Sequence, residues 1–83
     1  MKKQIENEFT KYFAAKYPAK TRKTSWHFLN FVSEKQGLTG DAKRDNTLKM
    51  SYRFKEWCAR EGFSRSWESA MMWYSLAGKD KRR

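Results

Sequence analysis

The chain has 83 residues, nineteen Lys and Arg against nine Asp and Glu, and a formal net charge of +10. That length holds one domain, and a single Pro with four Gly excludes both a disordered chain and a turn-rich β fold. One cysteine, Cys58, excludes an internal disulfide and fits a reducing compartment, so a cytoplasmic or nucleoid-associated protein is expected.

A first helix is predicted over residues 3–17, where Ile5, Phe9, Tyr12, Phe13 and Tyr17 recur at helical spacing and form one apolar stripe. Glu6 and Glu8 lie early and Lys11 and Lys16 late, the charge order that suits the helix dipole. Pro18 stops the helix. The connector that follows carries Lys20, Arg22 and Lys23, cations suited to phosphate contact, and Thr21, Thr24 or Ser25 as caps for the next helix.

A second helix is predicted over residues 24–36. Trp26, Phe28, Leu29, Phe31 and Val32 cover more than half of its circumference, which predicts a central position. Gly37 offers a left-handed ending. His27 is the only histidine, so no metal-ligand cluster can form around it. The polar residues 42–46 read as a loop or as the first turns of a third helix, and connection lengths favour the loop. Asp41 or Thr47 is then the cap, and the third helix runs over 47–61 on Met50, Phe54 and Trp57. Glu56 is placed to pair with Arg60 at i, i+4. Gly62 ends this helix. A fourth is predicted over 65–77, capped by Ser64 or Ser66, with an apolar stripe of Trp67, Ala70, Met71 and Tyr74 widened by Met72, Trp73 and Leu76, and closed by Gly78. The expectation is an all-α, compact four-helix bundle, a single domain over 1–78 with a basic tail at 79–83. The hairpin of the last two helices packs on the first two. Its predicted core is Ile5, Phe9, Phe13, Leu29, Val32, Met50, Phe54, Trp57, Met71 and Tyr74.

Catalytic inventory is thin. The acids are dispersed among cations, no base is patterned with Cys58 or a serine, and neither a glycine-rich phosphate loop nor a metal-ligand spacing occurs. No enzyme, no cofactor and no metal are expected, and no apolar run is long enough for a membrane span. The +10 charge points instead to a polyanion. In a helix-turn-helix the start of the second helix meets base edges, which nominates Ser64, Arg65 and Ser66. Arg53, Arg60, Lys49, Arg44 and Lys43, with Lys20, Arg22 and Lys23, are then the phosphate contacts. Cys58, Gly62 and Phe63 fit the small–glycine–apolar frame of such a hairpin, whereas Glu68 stands where an aliphatic residue belongs. Trp73 and Phe63 are the aromatics expected to remain available for stacking or partner contact.

The run Phe54-Lys55-Glu56-Trp57-Cys58-Ala59-Arg60-Glu61-Gly62-Phe63-Ser64-Arg65-Ser66-Trp67 resembles the N-terminal core-binding domain of tyrosine recombinases, in which an apolar helix leads through a Glu-Gly-X-Ser-like turn into a helix ending in aromatics. The resemblance implies a SAM-like helical fold that grips DNA as a clamp. The catalytic domain with its nucleophilic tyrosine has no place in these 83 residues. The expected function is a non-catalytic accessory or regulatory protein that binds nucleic acid, DNA before RNA. A module or inhibitor that docks on an acidic surface of a nucleic-acid-processing complex is the alternative, and an RNA-binding protein the third reading.

Overall fold

The computed structural model describes the backbone of residues 2–81 and the side chains of residues 4–76. Four helices follow in order: α1 (Lys2–Lys16), α2 (Ser25–Lys35), α3 (Gly40–Glu61) and α4 (Trp67–Lys81). No strand occurs among the described residues, and the protein is an all-α four-helix bundle.

The predicted boundaries of α1 and α2 hold to within one residue. No acid falls in the first turn of α1; Glu8 instead pairs with Lys35 of α2. The main departure is α3, which begins at Gly40 rather than at residue 47 and is 22 residues long. Neither Asp41 nor Thr47 is its cap; Thr39 holds that position and Asp41 lies in the first turn. Residues 42–46 are helical because that segment has partners on α2. Lys43 reaches Glu34 at 2.9 Å, Asn46 donates to Ser33 Oγ at 2.9 Å, and Thr47 is wholly buried. Tertiary contacts of this kind override the weak helix propensity of a polar stretch. Arg60 pairs with its neighbour Glu61 at 3.8 Å, not with Glu56. At the other boundary, α4 runs through Gly78 to Lys81. One glycine in a helix interior weakens it by about 1 kcal/mol relative to alanine without ending it. Arg82 and Arg83 of the expected tail lie outside the described residues.

The wide apolar arc of α2 makes it the centre of the molecule. Phe28, Leu29 and Val32 are fully buried, and α1, α3 and α4 all pack on this helix. α3 and α4 each touch α2 more than they touch one another, so they do not form a self-packed hairpin. α2 and α3 run antiparallel across their short turn, with Ser33 against Thr47 at 2.8 Å. Phe54 of α3 lies 5.9 Å from Trp73 of α4, and Phe28 of α2 lies 6.1 Å from Tyr74. α2, α3 and α4 are therefore an up–down–up set. α1 lies across α2: Tyr12 on one flank meets Phe31 at 5.2 Å and Phe13 on the other meets His27 at 5.1 Å.

The core is Phe9, Phe13, Phe28, Leu29, Phe31, Val32, Met50, Phe54, Cys58, Ala70 and Trp73. Of the predicted core, Ile5, Trp57, Met71 and Tyr74 are only partly buried against it. Phe28, Phe31, Cys58, Ala70 and Trp73 complete the core; Phe28 and Phe31 belong to the apolar arc of α2 and Ala70 to the stripe of α4, whereas Cys58 and Trp73 lie beside the stripes.

Candidate nucleic-acid interface

The up–down–up arrangement gathers the start of α2, the end of α3 and the start of α4 at one pole. The ammonium of Lys23, in the α1–α2 connector, lies 5.0 Å from the centre of the Trp67 ring at the start of α4, and 6.0 Å from Phe13. Two segments separated by more than forty residues of sequence thus meet through a cation–π contact. Both helix starts are capped. Thr24 accepts from the His27 amide at 3.4 Å, and His27 Nδ1 accepts in return from the Thr24 amide at 3.2 Å. That reciprocal pair is a capping box. Ser66 caps α4, its hydroxyl accepting from the Ser69 amide at 3.2 Å and its carbonyl from Ala70 at 2.9 Å.

The cap at Ser66 changes what the hairpin can read. Ser64 and Arg65 are exposed, but they belong to the connector and not to the helix. The first turn of α4 comprises Trp67, covered by Lys23, Glu68, exposed, and Ser69, buried. The only first-turn side chain left to a ligand is a carboxylate, which suits neither a phosphate nor the acceptor edge of guanine.

The eleven nominated residues do not form one face. Lys43 and Arg44 begin α3 and sit roughly 24 Å along its axis from Arg60, at 1.5 Å per residue. They belong to the opposite pole. Lys43 is also engaged: Lys16 at 2.7 Å, Lys43 at 2.9 Å and the Tyr12 hydroxyl at 3.0 Å converge on one oxygen of Glu34. Burial by itself would raise the Glu34 carboxyl, but the hydrogen bonds from Lys16, Lys43 and Tyr12 outweigh it and hold the group at about 2. Burial, followed by the bond to Glu34, pushes the Tyr12 phenol up to about 12. Lys49 is paired with Asp45 at 3.3 Å. Lys20, Arg22, Arg44, Arg53 and Arg65 have no acidic partner among the described residues. Lys49, Arg53, Glu56 and Arg60 recur at helical spacing and share one exposed side of α3, so an acid interrupts that basic stripe.

The aromatics sort differently from expectation. Trp73 is only 8% exposed, sealed against Phe54, and cannot stack on a ligand. It faces α3 because the apolar surface of α4, already widened by Trp73 in the sequence, must serve both α2 and α3. Phe63 is 42% exposed and lies on Trp57 with ring centres 5.0 Å apart and planes 11° from parallel. Trp26 (40%) and Tyr52 (65%) are also exposed. For Trp26 the available signal is its place at the edge of α2's apolar arc.

The remaining reactive groups are occupied in packing. Burial lowers the His27 imidazole below its ordinary value. Burial pushes the Cys58 thiol up, with the Arg65 guanidinium pulling against it. Among the described residues no group of His, Cys, Asp or Glu is placed to hold a metal ion, and no helix is long and apolar enough to cross a membrane.

Comparison with protein-family models, with curated proteins and with solved structures finds no match to this chain.

Proposed function

We propose that this chain is a non-catalytic DNA-binding accessory or regulatory protein that grips phosphates with the pole formed by the α1–α2 connector and the start of α4. The observation that carries the reading is the contact of Lys23 with Trp67 at 5.0 Å. It joins the connector that carries Lys20, Arg22 and Lys23 to the residue that directly follows Ser64, Arg65 and Ser66. Two parallel helices direct their N-termini to the same pole, so their dipoles add to the side-chain charge there. Thr21, Ser64 and the backbone amides of the connectors supply donors for phosphate oxygens. The grip is to the backbone of the nucleic acid rather than to base edges in a groove, because the first turn of α4 presents Glu68. The resemblance to a recombinase core-binding domain favours DNA over RNA.

Titrating a labelled duplex at several salt concentrations tests the reading. Four phosphate contacts predict a log–log slope of about −3 to −4. Absence of binding at low salt would remove the proposal. It would favour the second reading, docking on an acidic protein surface, for which Leu48 and Tyr52, exposed one helical turn apart on α3, are the anchors.

A further inference from the structure

We infer that Phe63 is a preformed stacking platform for an unpaired base, so that the preferred ligand is DNA with a single-stranded segment. The inference rests on the DNA-binding reading above and specifies its ligand.

The backbone at this point is tied down. Gly62 is left-handed, with φ 82°, and the amides of Gly62 and Phe63 both donate to the Cys58 carbonyl, at 2.8 and 3.0 Å. An apolar contact back to the helix commonly accompanies such an ending, and Trp57 supplies it. A packing contact alone requires only that the ring touch apolar surface. Here the two rings lie 11° from parallel, which puts one face of Phe63 on the indole and leaves 42% of the residue in water. No other aromatic ring among the described residues stacks on Phe63. The Trp67 ring, by contrast, is already covered by Lys23.

The surroundings match a nucleotide. Arg65 follows two residues later and Arg53 precedes Trp57 by one turn of α3. Both are exposed and without an acidic partner among the described residues. A base on the ring and its flanking phosphates on these guanidiniums would satisfy the platform and the charge together, the combination that single-strand binders use. A paired base in a continuous duplex keeps both faces in its own stack and cannot use the ring. Because the platform is assembled before binding, little side-chain freedom is lost when the base arrives.

The test compares Phe63→Leu and Phe63→Tyr with the wild-type chain on a single-stranded oligodeoxynucleotide, on a blunt duplex and on a single-stranded RNA of the same sequence. Leucine keeps an apolar contact to Trp57 but has no flat face; tyrosine keeps the ring. Thermal melts of each variant confirm that it is folded. The expected result is a loss on the order of ten-fold for Phe63→Leu on the single strand, less than about two-fold on the duplex, and retention by Phe63→Tyr. Equal losses on both DNA ligands, or no loss on either, would overturn the platform while leaving DNA binding intact. A loss seen only with single-stranded RNA would overturn it as well. Failure of the wild-type chain to bind any strand would remove the DNA-binding reading and this inference together.

Discussion

Ser33 and Thr47 share a 2.8 Å hydrogen bond between two fully buried side chains in a largely apolar interior. The bond belongs to a directed chain. Asn46 donates to Ser33 at 2.9 Å, and Thr47 donates to the Lys43 carbonyl at 2.8 Å, which leaves the Ser33 hydroxyl to donate to Thr47. No buried side-chain polar atom is left without a partner among the described residues. Such a network discriminates among packings, because a slipped register of α3 on α2 would take both α3 partners from the buried Ser33 hydroxyl.

Replacing Thr47 by Val keeps the shape and removes the acceptor of the Ser33 proton. The expected loss is about 1–3 kcal/mol. The pair Ser33→Ala and Thr47→Val should lose less than the sum of the single changes, since the buried Ser33 donor is then removed together with its acceptor; the Asn46 amide loses its Ser33 acceptor equally in the single Ser33→Ala and in the double variant. Urea unfolding of the two single variants and the double variant measures this, and strict additivity would contradict the network.

Glu34 predicts acid sensitivity. Its carboxyl is held at about 2, below its ordinary value of 4.5, so its contribution is present in full above pH 4.5 and is lost as pH falls toward 2. Glu34→Gln should therefore be less stable than wild type at neutral pH, by roughly 1–3 kcal/mol, with the gap closing across that window. Tyr12 runs the other way. Its phenol ionises at about 12 instead of 10, so the stability it contributes declines as pH rises from 10 to 12, and Tyr12→Phe should flatten that limb. Denaturant midpoints across pH check both signs.

The two poles predict an asymmetry in DNA affinity. Arg22→Ala and Arg65→Ala should each weaken duplex binding uniformly across sequences and reduce the salt slope by about one. Arg44→Ala, with the same loss of charge at the far pole, should leave the slope unchanged. Equal effects from all three would mean that net charge, and not the pole, governs binding.

The tryptophans should separate in one experiment. Trp73→Ala opens the interface of α3 and α4 and should cost about 3–5 kcal/mol, read as a lowered urea midpoint. Trp26→Ala, at a half-exposed site, should shift it by less than about 1 kcal/mol. In the folded protein, iodide should quench Trp26 and spare Trp73.

By itself the sequence determined the fold class, the central place of α2 and most of the core. Apolar residues at helical spacing, and an arc too wide for a surface helix, express themselves locally. It determined the charge, on which the proposed class of partner rests. Where α3 begins was left to tertiary structure, because residues 42–46 become helical only through Glu34 and Ser33 on another helix. The fate of Trp73 and Phe63 was decided there as well. Both are aromatic and both lie near an apolar stripe; Trp73 is sealed because α4 packs it on Phe54 of α3, and Phe63 stays half in water because the left-handed Gly62 turns it back onto Trp57 alone. The candidate site was legible as a set of cations but not as a place. Lys43 and Arg65 look alike in sequence; one is bound to Glu34 at one pole, and the other is exposed at the pole where Lys23 meets Trp67. Charge is a property of each residue. Convergence is a property of the packing, and helix direction settles it.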